Sequence, residues 1–480
     1  VLFTFVMTAP AAPWPAVALA ATLAVAALGL LWIALARRVA RRLPEPPLAL
    51  HGGLVANVGA AAIASLFLGQ VVTIALSVAT GKPPLAWTVA AQVAFLLTLF
   101  ALSKLANRPW ITPLSVVFTT AAVIAWKLAL PAGSPWWYEL AAATAIYLPY
   151  LAFPLVLGER ARHLREPHMT AVLASLSYFM VARASLVEGG LSWMIGALPV
   201  AQAAALAVLL AQLVRMERRA GKESPEGTLP KRDEGRLALV AGAVLAGITA
   251  AIPLQLDREW ITIGWALLAA ALAALYRRIP HRGLLAWTAG LLAAVFVRLA
   301  LNPDVLGYHP WSGMAIWNWY LYTYLVPALA FFLAAWLLAR SDDRFAEPPI
   351  PRLSSLASGG AVILLFLLLN LEIADFYSTT GSLTFSFLTG RATLAEDLTY
   401  TLGWALFAIL LFLAGIARPN RVARIAAIVL LLVAVLKGFV HDMAELGGLY
   451  RVMSFAGLGL CLALMAVLIQ KYVLPRREAE

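Results

Sequence analysis

The stretch Lys437-Gly438-Phe439-Val440-His441-Asp442-Met443-Ala444-Glu445 places a cation, an imidazole and two carboxylates close together. At helical spacing Lys437, His441 and Glu445 share one face. Gly447 and Gly448 then supply a helix stop, followed by Tyr450 and Arg451. Such a stripe could pass protons or hold an anionic headgroup. Snorkelling cations plus a structural ion pair would explain the same residues without any chemistry. A second group joins Glu372, Asp375 and Tyr377 to Arg391, Glu396, Asp397 and Tyr400 across a loop. Paired carboxylates can act as general acid and base. Glu396 and Asp397 also suit the first turn of a helix, where the macrodipole favours negative charge. Glu372 sits deeper in its apolar run, near Asn370, and capping does not account for it.

Further candidates lie upstream. Asp257-Arg258-Glu259-Trp260 reads as a helix cap, and Arg183 and Glu188 as a local pair across a tight turn. Arg298 is a cation near the end of an apolar run. Asp304, His309, Trp311, Trp317, Asn318 and Trp319 form an aromatic loop. Its ordinary reading is an interface belt; its sharper one is a platform that stacks a sugar ring or covers a lipid headgroup.

The elements that position these residues are long apolar runs. They lie near 14–36, 53–79, 84–104, 111–130, 136–157, 168–186, 190–214, 236–254, 259–277, 283–300, 319–339, 356–374, 397–415, 421–439 and 452–473. A helix crosses the hydrocarbon layer with about 20 residues. Barrel strands would alternate over about 10 residues, and these runs do not alternate. The expectation is an all-α polytopic membrane protein with about 15 transmembrane helices. Basic residues test that count. Loops after the odd-numbered runs, with the C-terminal tail, hold 28 of the 36 Lys and Arg, including Arg37, Arg108, Arg165, Arg278, Arg344 and Arg421. Such alternation is the positive-inside bias. It starts the first segment outside and leaves the C-terminus in the cytoplasm. Residues 1–215 and 237–480 then form two helical halves joined by a charged cytoplasmic linker, 216–236.

Composition agrees: 62% of the 480 residues are hydrophobic and 12% charged, against about 25% charged in soluble domains. The net charge of +12 is therefore a topogenic bias, and nucleic acid is not an expected partner. Cys461 stands alone, so no intramolecular disulfide or cysteine-based metal site is possible. The six His form no metalloprotease pair, and no phosphate loop, dinucleotide fingerprint or nucleophile elbow occurs. No metal and no cofactor are expected. Val1 to Met7 read as the last turns of a helix whose beginning is missing, which predicts a fragment of a longer chain.

There is also an internal repeat. Thr262-Ile263-Gly264-Trp265-Ala266-Leu267 matches Thr401-Leu402-Gly403-Trp404-Ala405-Leu406 at an offset of 139. At that offset Pro280 meets Pro419, Arg282 meets Arg421, and Arg298 meets Lys437. Residues 257–301 and 396–440 thus read as parallel helical hairpins, with Trp87 to Lys127 a looser third copy.

The C-terminal run from Lys437 through Asp442 to Leu446-Gly447-Gly448-Leu449-Tyr450-Arg451, then Ser454-Phe455, resembles a bacterial family of membrane proteins named domain of unknown function 2339. Glu372 with Asp375, and Asn318-Trp319-Tyr320-Leu321-Tyr322, look similar as well. His441 departs from the pattern, since an aromatic residue is more usual there. The resemblance implies an inner-membrane location and further N-terminal helices, and it brings no established activity.

Three functions follow as expectations. The first is a carrier or flippase that handles a cell-envelope lipid or saccharide at an outward-facing site, with membrane lipids and a lipid-linked precursor as partners. The others are a membrane enzyme acting on lipid-linked saccharide and a non-catalytic scaffold. Residues do not decide whether the chain is an enzyme. For the carrier, the apolar inner halves of the last helices are the weak point, because transport needs a continuous polar path.

Overall fold

The computed structural model describes residues 85–106, 109–129, 135–158, 164–223, 234–308, 316–341, 351–378, 393–418 and 420–438, with isolated positions elsewhere. Every regular element among them is helical, as expected for a chain whose backbone polar groups must be bonded within each apolar run. Twelve α-helices are described: α1 (Leu85–Ala106), α2 (Ile111–Ala129), α3 (Trp137–Leu157), α4 (Glu166–Glu188), α5 (Ala197–Glu223), α6 (Glu234–Gln255), α7 (Glu259–Arg278), α8 (Arg282–Ala300), α9 (Trp319–Leu338), α10 (Leu353–Tyr377), α11 (Leu394–Ala417) and α12 (Arg421–Lys437). Among the described residues, nine helices are long and apolar enough to cross a membrane. Of the expected spans 14–36, 53–79 and 452–473 only isolated positions are among the described residues.

Local chemistry explains where the helices begin. Asn318, Thr393 and Asn420 stand in extended conformation and accept backbone N–H groups of the turns they precede. His281 does the same for α8 through its ring nitrogen. The expected cap at Asp257–Trp260 takes another form: Arg258 occupies the cap position at φ 48°, with no side-chain cap bond. The first turn of α7 is instead held by the Trp260 N–H donating to the Asp257 carbonyl. Thr393 caps α11 through its hydroxyl, and Glu396 and Asp397 stand in the first turn as expected.

The chain separates into two compact units, residues 1–256 and 257–480. In the first, α3 packs on α4 and α5 on α6, with α2 against α4. Phe100 stacks on Phe153 at 4.0 Å between centroids. The buried Tyr150 hydroxyl sits 3.0 Å from both Ser115 and Thr119, which satisfies a polar atom that lipid or core would otherwise strand. The charged stretch 216–236 is drawn together at its ends, where Arg236 donates to Glu217 at 3.2 Å and joins α5 to α6.

In the second unit α7–α8 and α11–α12 are helical hairpins, α9 lies against α7 and α10, and α10 also meets α11. Because consecutive helices run antiparallel, the start of α7, α9 and α11 and the end of α8, α10 and α12 share one rim. Carboxylates Glu259, Glu372, Asp375, Glu396 and Asp397 occupy it. The opposite rim carries Arg277, Arg278, Arg282, Arg340, Arg352, Arg418, Arg421 and Arg424. Between the rims the outward faces stay apolar: Leu402, Leu406, Leu410 and Leu413 are all exposed along α11. Such a surface suits hydrocarbon, where burying those side chains would gain nothing.

Candidate functional site

On α10 Glu372 and Asp375 are three residues apart and therefore project from one face. Asn318 meets them from the start of α9. Its amide nitrogen donates to Glu372 Oε2 at 2.9 Å and to Asp375 Oδ2 at 3.1 Å. Its amide oxygen accepts the Leu321 N–H at 3.1 Å. One side chain therefore caps a helix and clasps two carboxylates. Asp375 and Asn318 are buried and Glu372 is half-buried. The second oxygens, Glu372 Oε1 and Asp375 Oδ1, are buried without a hydrogen-bond partner. Among the described residues no cation pairs with either carboxylate. Two buried acceptors thus point at no donor, an arrangement that native structures rarely leave unexplained.

Aromatic residues surround this clasp. Trp319 and Tyr320 follow Asn318 and are buried, while Trp317 just before it is 78% exposed. Tyr320 donates to the Leu306 carbonyl, and the Tyr308 ring lies 6.4 Å from that of Trp319. Residues 303–307 form a 3-10 turn that carries Tyr308 to this position. Arg298, at the end of α8, donates to the Tyr308 hydroxyl at 2.8 Å and to the Arg258 carbonyl at 3.3 Å, with its guanidinium 5.7 Å from the Tyr308 ring centre. Arg258 in turn donates to the Tyr308 carbonyl. Deeper in the unit, a cavity of about 230 Å³ is lined by Asn302, Tyr324, Leu367 and Asn370 among others. The Asn370 amide oxygen accepts the Trp404 indole N–H at 2.9 Å and ties α10 to α11.

Lys437 stands elsewhere. Its Nζ donates to the Asp397 carbonyl at 3.1 Å and to Thr401 Oγ1 at 3.0 Å, and lies 3.6 Å from Asp397 Oδ1. Asp397 stands in the first turn of α11, as expected, and also forms a buried ion pair between α11 and α12. Glu259, in the first turn of α7 as expected, is buried and accepts the Tyr322 hydroxyl at 3.3 Å. In the first unit the expected partner of Glu188 was Arg183; the ion pair formed is with Lys127 at 2.9 Å, and Lys127 also binds the buried Glu139 at 2.8 Å.

Of the expected site residues, the structure thus joins Glu372, Asp375 and Asn318, sets Trp319 beside them, and puts Arg298 and Lys437 on separate partners. Arg391, His441, Asp442, Glu445, Tyr450, Arg451 and Trp311 lie outside the described residues. The clasp by Asn318 and the bonds to Tyr308 and Thr401 were missed, although an Asn just before an apolar run is a recognisable capping signal. Among the described residues, no group of three or more His, Cys, Asp or Glu could hold a metal.

A family described as "Predicted membrane protein (DUF2339)" matches residues 1–472. No curated protein and no solved structure matches the chain.

Proposed function

The chain belongs to the DUF2339 family of predicted membrane proteins, and from that premise we propose that it handles a cell-envelope lipid or saccharide component, by transport or flipping, at an outward-facing polar site in its second unit. The observation that carries this reading is the carboxylate pair clasped by Asn318. Glu372 and Asp375 lie within a helix apolar enough to span a membrane, and each keeps one buried oxygen without a partner. Ionisable groups in spans are costly, and by default they mark sites of function. Two convergent acceptors suit hydroxyl or ammonium donors, the groups that saccharides and amine headgroups present. Trp317, exposed beside them, offers a face for stacking.

The orientation rests on the two rims. Arginines crowd one end of the second unit and carboxylates the other, so the positive-inside bias turns the carboxylates outward from the cytoplasm. The parallel repeat also gains support. Arg258 and Asp397 are separated by the same 139 positions as Arg298 and Lys437. In one hairpin Arg298 donates to the carbonyl of residue 258; in the other Lys437 donates to the carbonyl of residue 397. The same cross-hairpin bond thus recurs at equivalent places.

Leaflet exchange of a lipid carrying a fluorescent headgroup, followed in proteoliposomes by quenching from outside, tests the proposal. Exchange should be faster than in protein-free vesicles and should fall to that background in the double variant Glu372→Gln/Asp375→Asn. Exchange that the double variant leaves intact would overturn it. A chemically altered headgroup in the recovered lipid would favour an enzyme instead.

A further inference from the structure

We infer that Arg258, Arg298 and Tyr308 form an anion subsite that takes a phosphate group, so that the component handled in the second unit is a phosphate-bearing one. This deepens the preceding reading and rests on it only for the ligand being a lipid.

The comparison of the two hairpins carries the inference. In α11–α12 the cation at the end of the ascending helix, Lys437, is answered by the carboxylate of Asp397 and by Thr401. That ion pair is closed and needs no further anion. In α7–α8 the equivalent cation is Arg298, and an arginine, Arg258, stands where the carboxylate would be. A closed pair has become two guanidiniums converging on one tyrosine. Arg258 donates to the Tyr308 carbonyl and Arg298 to its hydroxyl. Among the described residues, no carboxylate pairs with Arg298. Its Nε is buried and has no hydrogen-bond partner. Of the carboxylates adjoining this place, Glu259 accepts the Tyr322 hydroxyl, whereas Asp257 and Asp304 lie to either side along the chain.

Guanidinium is suited to this task. It is always charged, and its planar fork matches the spacing of two phosphate oxygens. Arg298 is already held by the Arg258 carbonyl and the Tyr308 hydroxyl, so little freedom remains to be lost on binding. The first turn of α7 has no side-chain cap and adds its positive end to the same place. Position supports the link to the carboxylates: Tyr308 neighbours Trp319, and Trp319 follows Asn318. A headgroup with a phosphate at the arginines would present its hydroxyls toward Glu372 and Asp375.

The test uses the purified full chain in neutral detergent micelles, with thermal unfolding followed as ligand is added. One arm adds a polyprenyl phosphate or the matching polyprenol; the other adds inorganic pyrophosphate. The phosphate-bearing lipid should raise the transition temperature and the polyprenol should not. Arg298→Gln should weaken the apparent affinity at least about tenfold, the loss of one charge-assisted contact. Arg258→Gln, at an exposed position, should weaken it in the same direction. Arg278→Gln removes equal charge from the opposite rim and should leave the affinity unchanged. Pyrophosphate bound alone, with the same loss in Arg298→Gln, would support the subsite and assign it to free phosphate, which defeats the lipid reading only. Equal affinity in wild type and both arginine variants, or no response to either phosphate probe, overturns the inference and leaves leaflet exchange through Glu372 and Asp375 standing on its own assay.

Discussion

Replacing Asn318 separates its two tasks. Asn318→Ser keeps a side-chain oxygen that can accept the Leu321 N–H, yet it removes the amide donors that reach Glu372 and Asp375 at 2.9 and 3.1 Å. A hydrogen bond to a charged group contributes about 1.5–3 kcal/mol. Two such bonds are lost, and part of each is recovered where the carboxylates relax toward the rim, so about 3 kcal/mol is the expected local cost. Asn318→Ala forfeits the cap as well, a further cost of about 1 kcal/mol. Native-state hydrogen exchange in the first turns of α9, read by mass spectrometry on the protein in micelles, measures both. At 1.4 kcal/mol per tenfold, exchange there should quicken roughly a hundredfold in the serine variant and several-fold more in the alanine variant. A serine variant that exchanges like wild type, beside an alanine variant quickened only by its missing cap, would refute the clasp and leave Asn318 a capping residue alone.

Other expectations concern pairs that sequence spacing does not reveal. Lys437→Met leaves Asp397 buried without its cation and should destabilise the second unit by about 3 kcal/mol, whereas Lys437→Met/Asp397→Leu should recover at least half; additive losses on denaturant titration would show no coupling. Glu139→Leu frees Lys127 from its shorter contact while Glu188 still holds it at 2.9 Å, so Glu139→Leu should cost less than Lys127→Met in a thermal melt. In the first unit a Cβ at Gly196 would meet Gln255 Cβ at 2.4 Å and its Cα at 3.0 Å, whereas one at Gly242 meets nothing within 4 Å. Gly196→Ala should therefore lower stability by about 1–3 kcal/mol, and Gly242→Ala should raise it by up to about 1 kcal/mol, both readable as shifts in the unfolding midpoint.

The helices were legible because their signal is local. Twenty apolar residues bounded by arginine declare a span whatever packs beside them, and α7, α8 and α9 fall within a residue or two of the runs 259–277, 283–300 and 319–339. The ionisable residues were legible as a set but not as partners. Lys437 shares a helical stripe with His441 and Glu445 on paper, yet its bonds run to Asp397 and Thr401, about forty positions earlier. Periodicity tells which face a residue occupies; it does not tell which helix lies opposite. Glu188 shows the same failure on a smaller scale. Arg183 is near in sequence but more than one turn away along the same helix, whereas Lys127 reaches Glu188 from α2. The signal that could have found the Arg298–Arg258 contact was already present in the offset of 139, carried seven residues upstream of the matched tryptophans.

Two aromatic girdles give the second unit a depth gauge. At the arginine rim the Trp336 ring is flanked by Arg340 at 4.4 Å and Arg277 at 5.9 Å. At the other, Tyr322 stacks on Trp260 at 5.9 Å. Along α9 these marks are about 21 Å apart at 1.5 Å per residue, and rings of this kind settle where hydrocarbon meets headgroups. Asn318 begins α9 one turn beyond Tyr322. On the function proposed above, the carboxylates it grips would stand at the outer end of their span, where the hydrocarbon layer gives way to headgroups.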